Sequence, residues 1–488
     1  MGSVRKSLLL SALDSYLGLL LQIASTVIIA RILTPEEVGV FAVAAVFAAL
    51  ASTFRDFGVA EYLIQERELS SDAIRAAFTV NIVVSWGMAT LLFALSPIIA
   101  DFYRINGVGE VMRVQALTFL LIPFGAVTMA WFRRQMNFRP ILVSGLLANI
   151  VSFVVVVSLA LSGFSYMSMA WAALAGVAVT VATALLVRPI DFPRWPGLRG
   201  VRRVIDFGKF ASGIYIFGQL GKGAPEMVIG RVLDMSAVGI FSRASGLVEI
   251  FNRLVLRSVL PICLPYFAQS VREQGSPLQG LLRTMSYLTA VGWVFLGFMA
   301  VAAFAVIRVM YGTQWLAAIA LAQLLCLAGA IELLYYPAKE ALLSLGKVKE
   351  CNTLQILTQS LRIVGVLCVI PFGLAGAAWG LVGAAMAGAL LAHAALQRHV
   401  GLGPTHVLRA VGPSLRLTML AIGPLAACST LWPINEQNYV RYVVLGVSAT
   451  TLLWLLGLRW LRHPLWIEVQ RVLQTVRRRL DSALRAGP

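Results

Sequence analysis

Between short polar breaks, apolar positions run in blocks of roughly 18–25 residues, the length an α-helix needs to cross about 30 Å of hydrocarbon at 1.5 Å per residue. The blocks at 8–30, 77–100, 141–161 and 374–396 are the plainest. None shows the polar–apolar alternation of a membrane barrel strand. In hydrocarbon each backbone amide must be satisfied within the chain, so every block is expected to be a helix. The pattern predicts about fourteen, with ends good to about 2–4 residues. They fall at 8–30, 38–54, 77–100, 114–132, 141–162, 167–187, 210–230, 236–256, 284–306, 315–337, 354–371, 374–396, 412–432 and 439–458. The seventh and eighth carry charges and are the least apolar. Turn residues Thr34-Pro35, Ser162-Gly163 and Pro371-Phe372-Gly373 separate blocks where a reversal is needed. The expected fold is an all-α polytopic membrane protein.

Composition agrees. Of 488 residues 59% are hydrophobic and 13% charged, against about a quarter charged in soluble domains. A larger soluble core does not account for this, because such cores stop growing near about 250–300 residues. The net charge of +18 would suggest nucleic acid in a soluble protein; here it reads as topology, because Lys and Arg gather in cytoplasmic loops. Six of them lie in 188–209 and seven follow Leu458. An even helix count puts both groups on the cytoplasmic side, so both termini are expected there, in a bacterial inner membrane. Arg5 and Lys6 look like a signal n-region, but the block behind them is long, contains Asp14 and lacks a small-x-small cleavage site. It is expected to stay as the first helix. The stretch 465–484, with Arg477-Arg478-Arg479, is expected to form a basic amphipathic helix on anionic lipid.

Enzyme chemistry finds little support. The longest loop, 188–209, cannot hold a catalytic domain, and no DxD motif, Gly-rich phosphate loop or nucleophile elbow occurs. His393, His399, His406 and His463 are expected at cytoplasmic helix ends. Cys263, Cys326, Cys351, Cys368 and Cys428 are dispersed, without CxxC, and read as small apolar packing residues rather than metal ligands. No cofactor is expected beyond a coupling Na⁺ or H⁺, and no metal site.

The chain repeats itself at an offset of 200. Ile28-Ile29-Ala30-Arg31-Ile32-Leu33-Thr34-Pro35-Glu36-Glu37-Val38-Gly39-Val40-Phe41 aligns without gaps on Val228-Ile229-Gly230-Arg231-Val232-Leu233-Asp234-Met235-Ser236-Ala237-Val238-Gly239-Ile240-Phe241. Six predicted helices separate the copies, so both have the same orientation. This is a parallel repeat of a kind found in transporters that bind substrate between their halves. The expected organisation is a six-helix lobe at 1–187, a basic cytoplasmic linker at 188–209, a second six-helix lobe at 210–396, a terminal helix pair at 397–462 and a basic tail at 463–488.

The first copy, Ala30-Arg31-Ile32-Leu33-Thr34-Pro35-Glu36-Glu37-Val38-Gly39-Val40-Phe41, resembles the signature after the first helix of the polysaccharide transporter family, the Wzx-type oligosaccharide flippases. That family shares a superfamily with multidrug-extruding MATE proteins and lipid II flippases. Asp56-Phe57-Gly58-Val59-Ala60 followed by Leu63-Ile64-Gln65 is similar to the second-helix exit of colanic-acid and succinoglycan-type exporters. The resemblance implies a V-shaped pair of six-helix lobes. It also implies transfer of an undecaprenyl-pyrophosphate-linked oligosaccharide to the periplasmic leaflet by alternating access, alongside a polysaccharide polymerase and export machinery.

Such a cargo is anionic, and Arg pairs bidentately with phosphate oxygens. Charges inside membrane helices cost about 2.5–3.5 kcal/mol on insertion scales and so face a cavity or a partner. Lys222, Arg243, Arg253 and Arg362 are the expected cationic, substrate-binding set, with Asp14, Glu226, Glu249 and Glu332 as charge balance or ion-coupling groups. Lys222 and Glu226, four apart, share a helix face. Arg31 and Arg231 are expected to cap helix carbonyls, and Trp131, Trp315, Tyr335, Tyr336 and Trp432 to sit in aromatic belts. The rival functions are a multidrug cation antiporter, which would favour acidic groups at depth, a lipid II flippase, and a membrane polysaccharide polymerase or ligase, which would need a large periplasmic loop.

Overall fold

The computed structural model describes residues 2–471 and 474, except 56–57, 67–68, 190–191, 194, 212 and 433; side chains are described from residue 16 on, apart from 207–216 and 274. Among the described residues every regular element is a helix. The chain opens with α1 (Gly2–Ile32), α2 (Pro35–Arg55), α3 (Val59–Gln65), α4 (Ser71–Tyr103) and α5 (Asn106–Leu121). It continues through α6 (Pro123–Arg134), α7 (Arg139–Leu161), α8 (Met167–Leu186), α9 (Val201–Ala211), α10 (Gly213–Val232) and α11 (Met235–Phe251). Then come α12 (Arg257–Gln274), α13 (Leu278–Val301), α14 (Ala303–Met310), α15 (Ala318–Tyr335) and α16 (Ala338–Ser344). The last are α17 (Val348–Val369), α18 (Gly373–Val400), α19 (Pro404–Leu431) and α20 (Tyr439–Trp460).

Nine helical stretches among the described residues are long and apolar enough to cross a membrane, ten when α5 and α6, bent by 53° at Pro123, count as one. One of the nine, Val348–Val400, holds two of the predicted helices, α17 and α18, divided by the 3-10 turn Ile370–Phe372. The charged α10 and α11 fall outside the nine, as does α1, whose described apolar part is Tyr16–Ile32. The protein is an all-α, multi-pass membrane protein. The predicted tail helix past Arg471 lies outside the described residues, apart from position 474.

Packing divides the chain into two units, Met1–Ser242 and Arg243–Pro488. This cut by contact differs in kind from the cut by repeat, since α10, the first helix of the second copy, packs on α2 and is counted with the first unit. Two glycines make that approach possible. A Cβ on Gly223 would overlap the Val46 side chain, and one on Gly230, seven residues on, would press Val43 at 3.1 Å. Within the first unit α4 packs on α5, α7 on α8, and α5 and α6 on α8. Within the second, α13 packs on α15, α17 on α18, and α15 and α16 on α18. The same order of contacts in both units is the structural form of the repeat.

The repeat is most explicit at its signature. Both copies are a helix end, a two-residue break and a capped helix start: α1 ends at Ile32 and α2 begins at Pro35; α10 ends at Val232 and α11 begins at Met235. The Thr34 amide and hydroxyl donate to Glu37 Oε2 at 2.7 and 3.0 Å, and the Glu37 amide donates back to Thr34 Oγ1 at 3.3 Å. This is a capping box with proline at the first helical position. In the second copy Asp234 takes the cap, accepting the Ala237 amide at 2.6 Å. The signature is therefore largely a helix-start code. Its glycines do something else: a Cβ on Gly39 would overlap the Met235 carbonyl oxygen, and one on Gly239 would overlap the Pro35 carbonyl oxygen. The two signatures cross backbone to backbone.

In the second unit, α20 is tied to the bundle just past its end. The His463 ring is buried, with Nε2 at 3.3 Å from Ser286 Oγ on α13 and 3.1 Å from Ser414 Oγ on α19. The Leu465 amide donates to Nδ1 at 3.1 Å and the Ser414 hydroxyl donates to the Ser286 carbonyl at 3.0 Å. Nε2 therefore carries the ring proton and the latch needs neutral imidazole. Burial pushes the His463 pKa down from 6.5 to about 4. The undocked ring takes its proton first, so the stability this latch contributes is complete above about pH 6.5 and lost as pH falls toward 4. Melting of the purified protein is expected to drop between pH 7.5 and 5, and His463→Gln to flatten that drop.

Two expectations on individual residues need correction. Trp315 is fully buried rather than in an interfacial belt, because it packs edge-on against Tyr311, 6.4 Å between ring centroids. Cys368 and Cys428 are exposed; only Cys263, Cys326 and Cys351 are buried packing residues.

Candidate functional site

In the second unit, predicted charged residues cluster where α11 ends. Beyond Phe251 the helix widens into a π-helical turn at Asn252–Leu256 before α12 begins. Such turns insert one residue into the helical register and re-aim side chains, frequently at functional sites. Here Glu249 Oε2 accepts from Asn252 Nδ2 at 3.1 Å, and Glu249 Oε1 lies 3.2 Å from Arg253 Nε and 3.8 Å from Arg257 Nη2. Asn252 and Glu332 of α15 are the charged or amide residues of one small, mainly apolar cleft, lined also by Phe251, Leu256, Leu296, Leu333 and Tyr336. The cleft has room for about one water. Glu332 Oε1 in turn holds Arg362 Nη1 of α17 at 2.8 Å. Tyr336 stands within electrostatic range of Glu332, Glu249, Glu340 and Arg362. Arg362 Nε is buried without a hydrogen-bond partner.

Four predicted site residues thus form two ion pairs, Glu249 with Arg253 and Glu332 with Arg362, and of these four Glu332 lines the cleft. Arg243 stands apart, two turns earlier on α11, its guanidinium 5.7 Å from the Tyr311 ring centre and 5.3 Å from that of Trp315. Cation–π contact takes the place there of a carboxylate. Lys222 and Glu226 belong to α10 in the first unit. Lys222 is exposed. The side chain of Asp14 lies outside the described residues. Arg231 stacks 5.0 Å over the Phe102 ring.

Sequence reasoning missed the π turn, and with it Asn252, because nothing between Glu249 and Arg257 breaks a helix. Tyr336 was expected at a membrane interface; it lines the cleft, while its neighbour Tyr335 places its hydroxyl 3.1 Å from His393 Nδ1 on α18. Among the described residues no group of three or more His, Cys, Asp or Glu is placed to hold a metal.

The geometry is that of helices carrying paired charges, and comparison with known proteins gives the chain's family. Residues 28–320 match the family described as polysaccharide biosynthesis protein. The teichuronic acid biosynthesis protein TuaB of Bacillus subtilis (strain 168) is 25% identical over 297 residues, 60% of this chain and 61% of that one. The succinoglycan biosynthesis transport protein ExoT of Rhizobium meliloti (strain 1021) is 27% identical over 302 residues, 60% of each. The lipopolysaccharide biosynthesis protein WzxC of Escherichia coli (strain K12) is 23% identical over 344 residues, 69% of each. The chain spans about three-fifths of the length of the first two relatives. In fold it is similar to the lipid II flippase MurJ in its inward closed conformation, with a TM-score of 0.71 at 12% identity over 93% of this chain and 99% of that one. An inward-facing multidrug resistance MATE transporter gives 0.56 at 15% identity, over 79% and 94%. The family match covers more than half of the chain, from the first signature through the second, and the protein belongs to the polysaccharide biosynthesis protein family.

Proposed function

We propose that this protein is a flippase, not an enzyme, that moves a lipid-linked oligosaccharide repeat unit across the bacterial inner membrane by alternating access. One observation carries the reading: arginines and carboxylates stand in ion pairs, Glu249 with Arg253 and Glu332 with Arg362, in a helical membrane chain whose relatives are named for polysaccharide synthesis and transport. Charges at depth are costly to insert, and an undecaprenyl-pyrophosphate sugar is a cargo whose passage requires them. In this reading residues 1–187 and 210–396 are the two lobes, 397–462 a terminal pair, and both termini are cytoplasmic. Lys222, Arg243, Arg253 and Arg362 receive the anionic head group. Asp14, Glu226, Glu249 and Glu332 balance those cations or take a coupling Na⁺ or H⁺. A polysaccharide polymerase consumes the product on the far side.

Deleting the gene in its host, then extracting lipid-linked oligosaccharides and assaying surface polymer, tests this. The expected result is loss of polymer with unpolymerised repeat units accumulating on the cytoplasmic leaflet. Unchanged polymer with new sensitivity to cationic dyes would instead support a drug extruder. Lys222→Ala, at an exposed position, is expected to fold and express normally and to lower complementation at least tenfold; full complementation would remove Lys222 from the cargo path.

A further inference from the structure

The linker between the repeats is held at several of its described residues yet displays apolar side chains to the outside. Arg188 donates through Nη2 to the Phe124 carbonyl at 2.8 Å and through Nε to Thr128 Oγ1 at 3.0 Å, and its guanidinium lies 5.2 Å over Phe192. Phe192 is buried, edge-on to Trp131 at 6.0 Å. Five residues on, the Gly197 amide donates to Thr79 Oγ1 at 2.9 Å, and the Thr79 hydroxyl donates to the Gly197 carbonyl at 2.7 Å. A Cβ at Gly197 would meet Arg75 Cβ at 2.9 Å, so only glycine allows the strand to lie this close to α4. Val204 of α9 is fully buried in a cluster with Tyr62, Leu63 and Ile74.

Between these fixed points Trp195 is 77% exposed and Leu198 82% exposed. Beside them Arg199 and Arg203 are exposed, and the Arg202 side chain is 96% exposed. Asp206 lies 3.9 Å from Arg202. The level is informative. Gly197 lies against Arg75–Thr79, the first two turns of α4, a helix of 33 residues. That helix is about 50 Å long, well beyond the ~30 Å of hydrocarbon, so its first turns sit at head-group depth. A tryptophan and a leucine presented there, rimmed by arginines, suit the boundary of an anionic leaflet: apolar rings enter the acyl boundary and guanidinium groups take lipid phosphates.

We propose that residues 195–203 form a membrane-anchoring surface that binds anionic phospholipid. Each arginine near an anionic surface contributes about fivefold to such binding, so the three together give a strong preference for anionic over zwitterionic lipid. The test uses the full-length protein with p-benzoylphenylalanine in place of Leu198, an exposed position whose replacement disturbs no packing. It is reconstituted in phosphatidylethanolamine vesicles with or without phosphatidylglycerol and irradiated. Lipid adducts at 198 are expected, enriched at least tenfold for phosphatidylglycerol over its share of the bilayer. The R199Q/R202Q/R203Q background is expected to erase that enrichment while leaving adducts to zwitterionic lipid. Absence of lipid adducts, equal enrichment in the two backgrounds, or a protein adduct at 198 in whole-cell membranes would each overturn the proposal.

Discussion

Gly39→Ala is expected to cost the protein most of its yield and several degrees of melting temperature, and Gly239→Ala to cost about as much. A single methyl at either position collides with a backbone carbonyl oxygen, Met235 O in one case and Pro35 O in the other. Neither oxygen can swing away as a side chain would. Both belong to the first residue of a capped helix, held by the bonds at Thr34 and Asp234. Relief must come from separating α2 and α11, around which Val38, Val40 and Val238 are buried. Overpacking of this kind costs about 1–3 kcal/mol, and more where backbone must move. The comparison that isolates the effect is Gly87→Ala in α4 and Gly383→Ala in α18, where an added Cβ meets nothing within 4 Å. Removing glycine from a helix interior there is expected to be neutral or stabilising by about 0.5–1 kcal/mol. Fluorescence-detected size exclusion over a temperature ramp reads all four. A Gly39→Ala protein that melts with the wild type would mean the two signatures do not cross as closely as described.

How well the sequence foretold the structure depended on whether a feature is coded locally. The signature breaks were legible to within a few residues, with helix starts expected at 38 and 236 and found at Pro35 and Met235, because the turn pair Thr34-Pro35 itself starts a helix. The offset of 200 was legible for the same reason. The role of the glycines at 39 and 239 was not, because a crossing is a property of two segments, and neither alone shows why a side chain is excluded. Nor did the sequence reveal α9. Its arginines looked like loop charge, and Val204 is the one buried core residue among its described side chains. Trp315 was misplaced because an aromatic beside a predicted helix end reads as a belt residue, whereas Arg243 offers its ring a buried partner from another element. At the site, the charged residues were legible one by one from their cost in hydrocarbon. Their pairing was not, since Glu332 and Arg362 lie 30 positions apart and the π turn that positions Asn252 leaves no mark in composition.

Arg362→Ala is expected to abolish complementation, and the question is whether it does so by removing a cation from the cargo or by stranding Glu332. The pair is close, 2.8 Å, but the two side chains remain 28% and 38% exposed. Its rupture should therefore cost between the ~1 kcal/mol of a surface pair and the ~3–5 kcal/mol of a buried one. That is enough to lower expression and so to mimic loss of function. The E332Q/R362Q double variant separates the causes. With both charges gone no ion is stranded, and two amides can still hydrogen-bond across the same gap, so melting should return close to that of the wild type. Complementation should stay at least tenfold down, because the guanidinium fork of Arg362 is what an anionic head group would engage. Arg362→Lys keeps the charge without the fork and is expected to fall between. If the double variant transports normally, the pair is structural. The search for the cargo's cation would then move up α11 to Arg243, which is held by Tyr311 and Trp315 and has no carboxylate partner among the described residues.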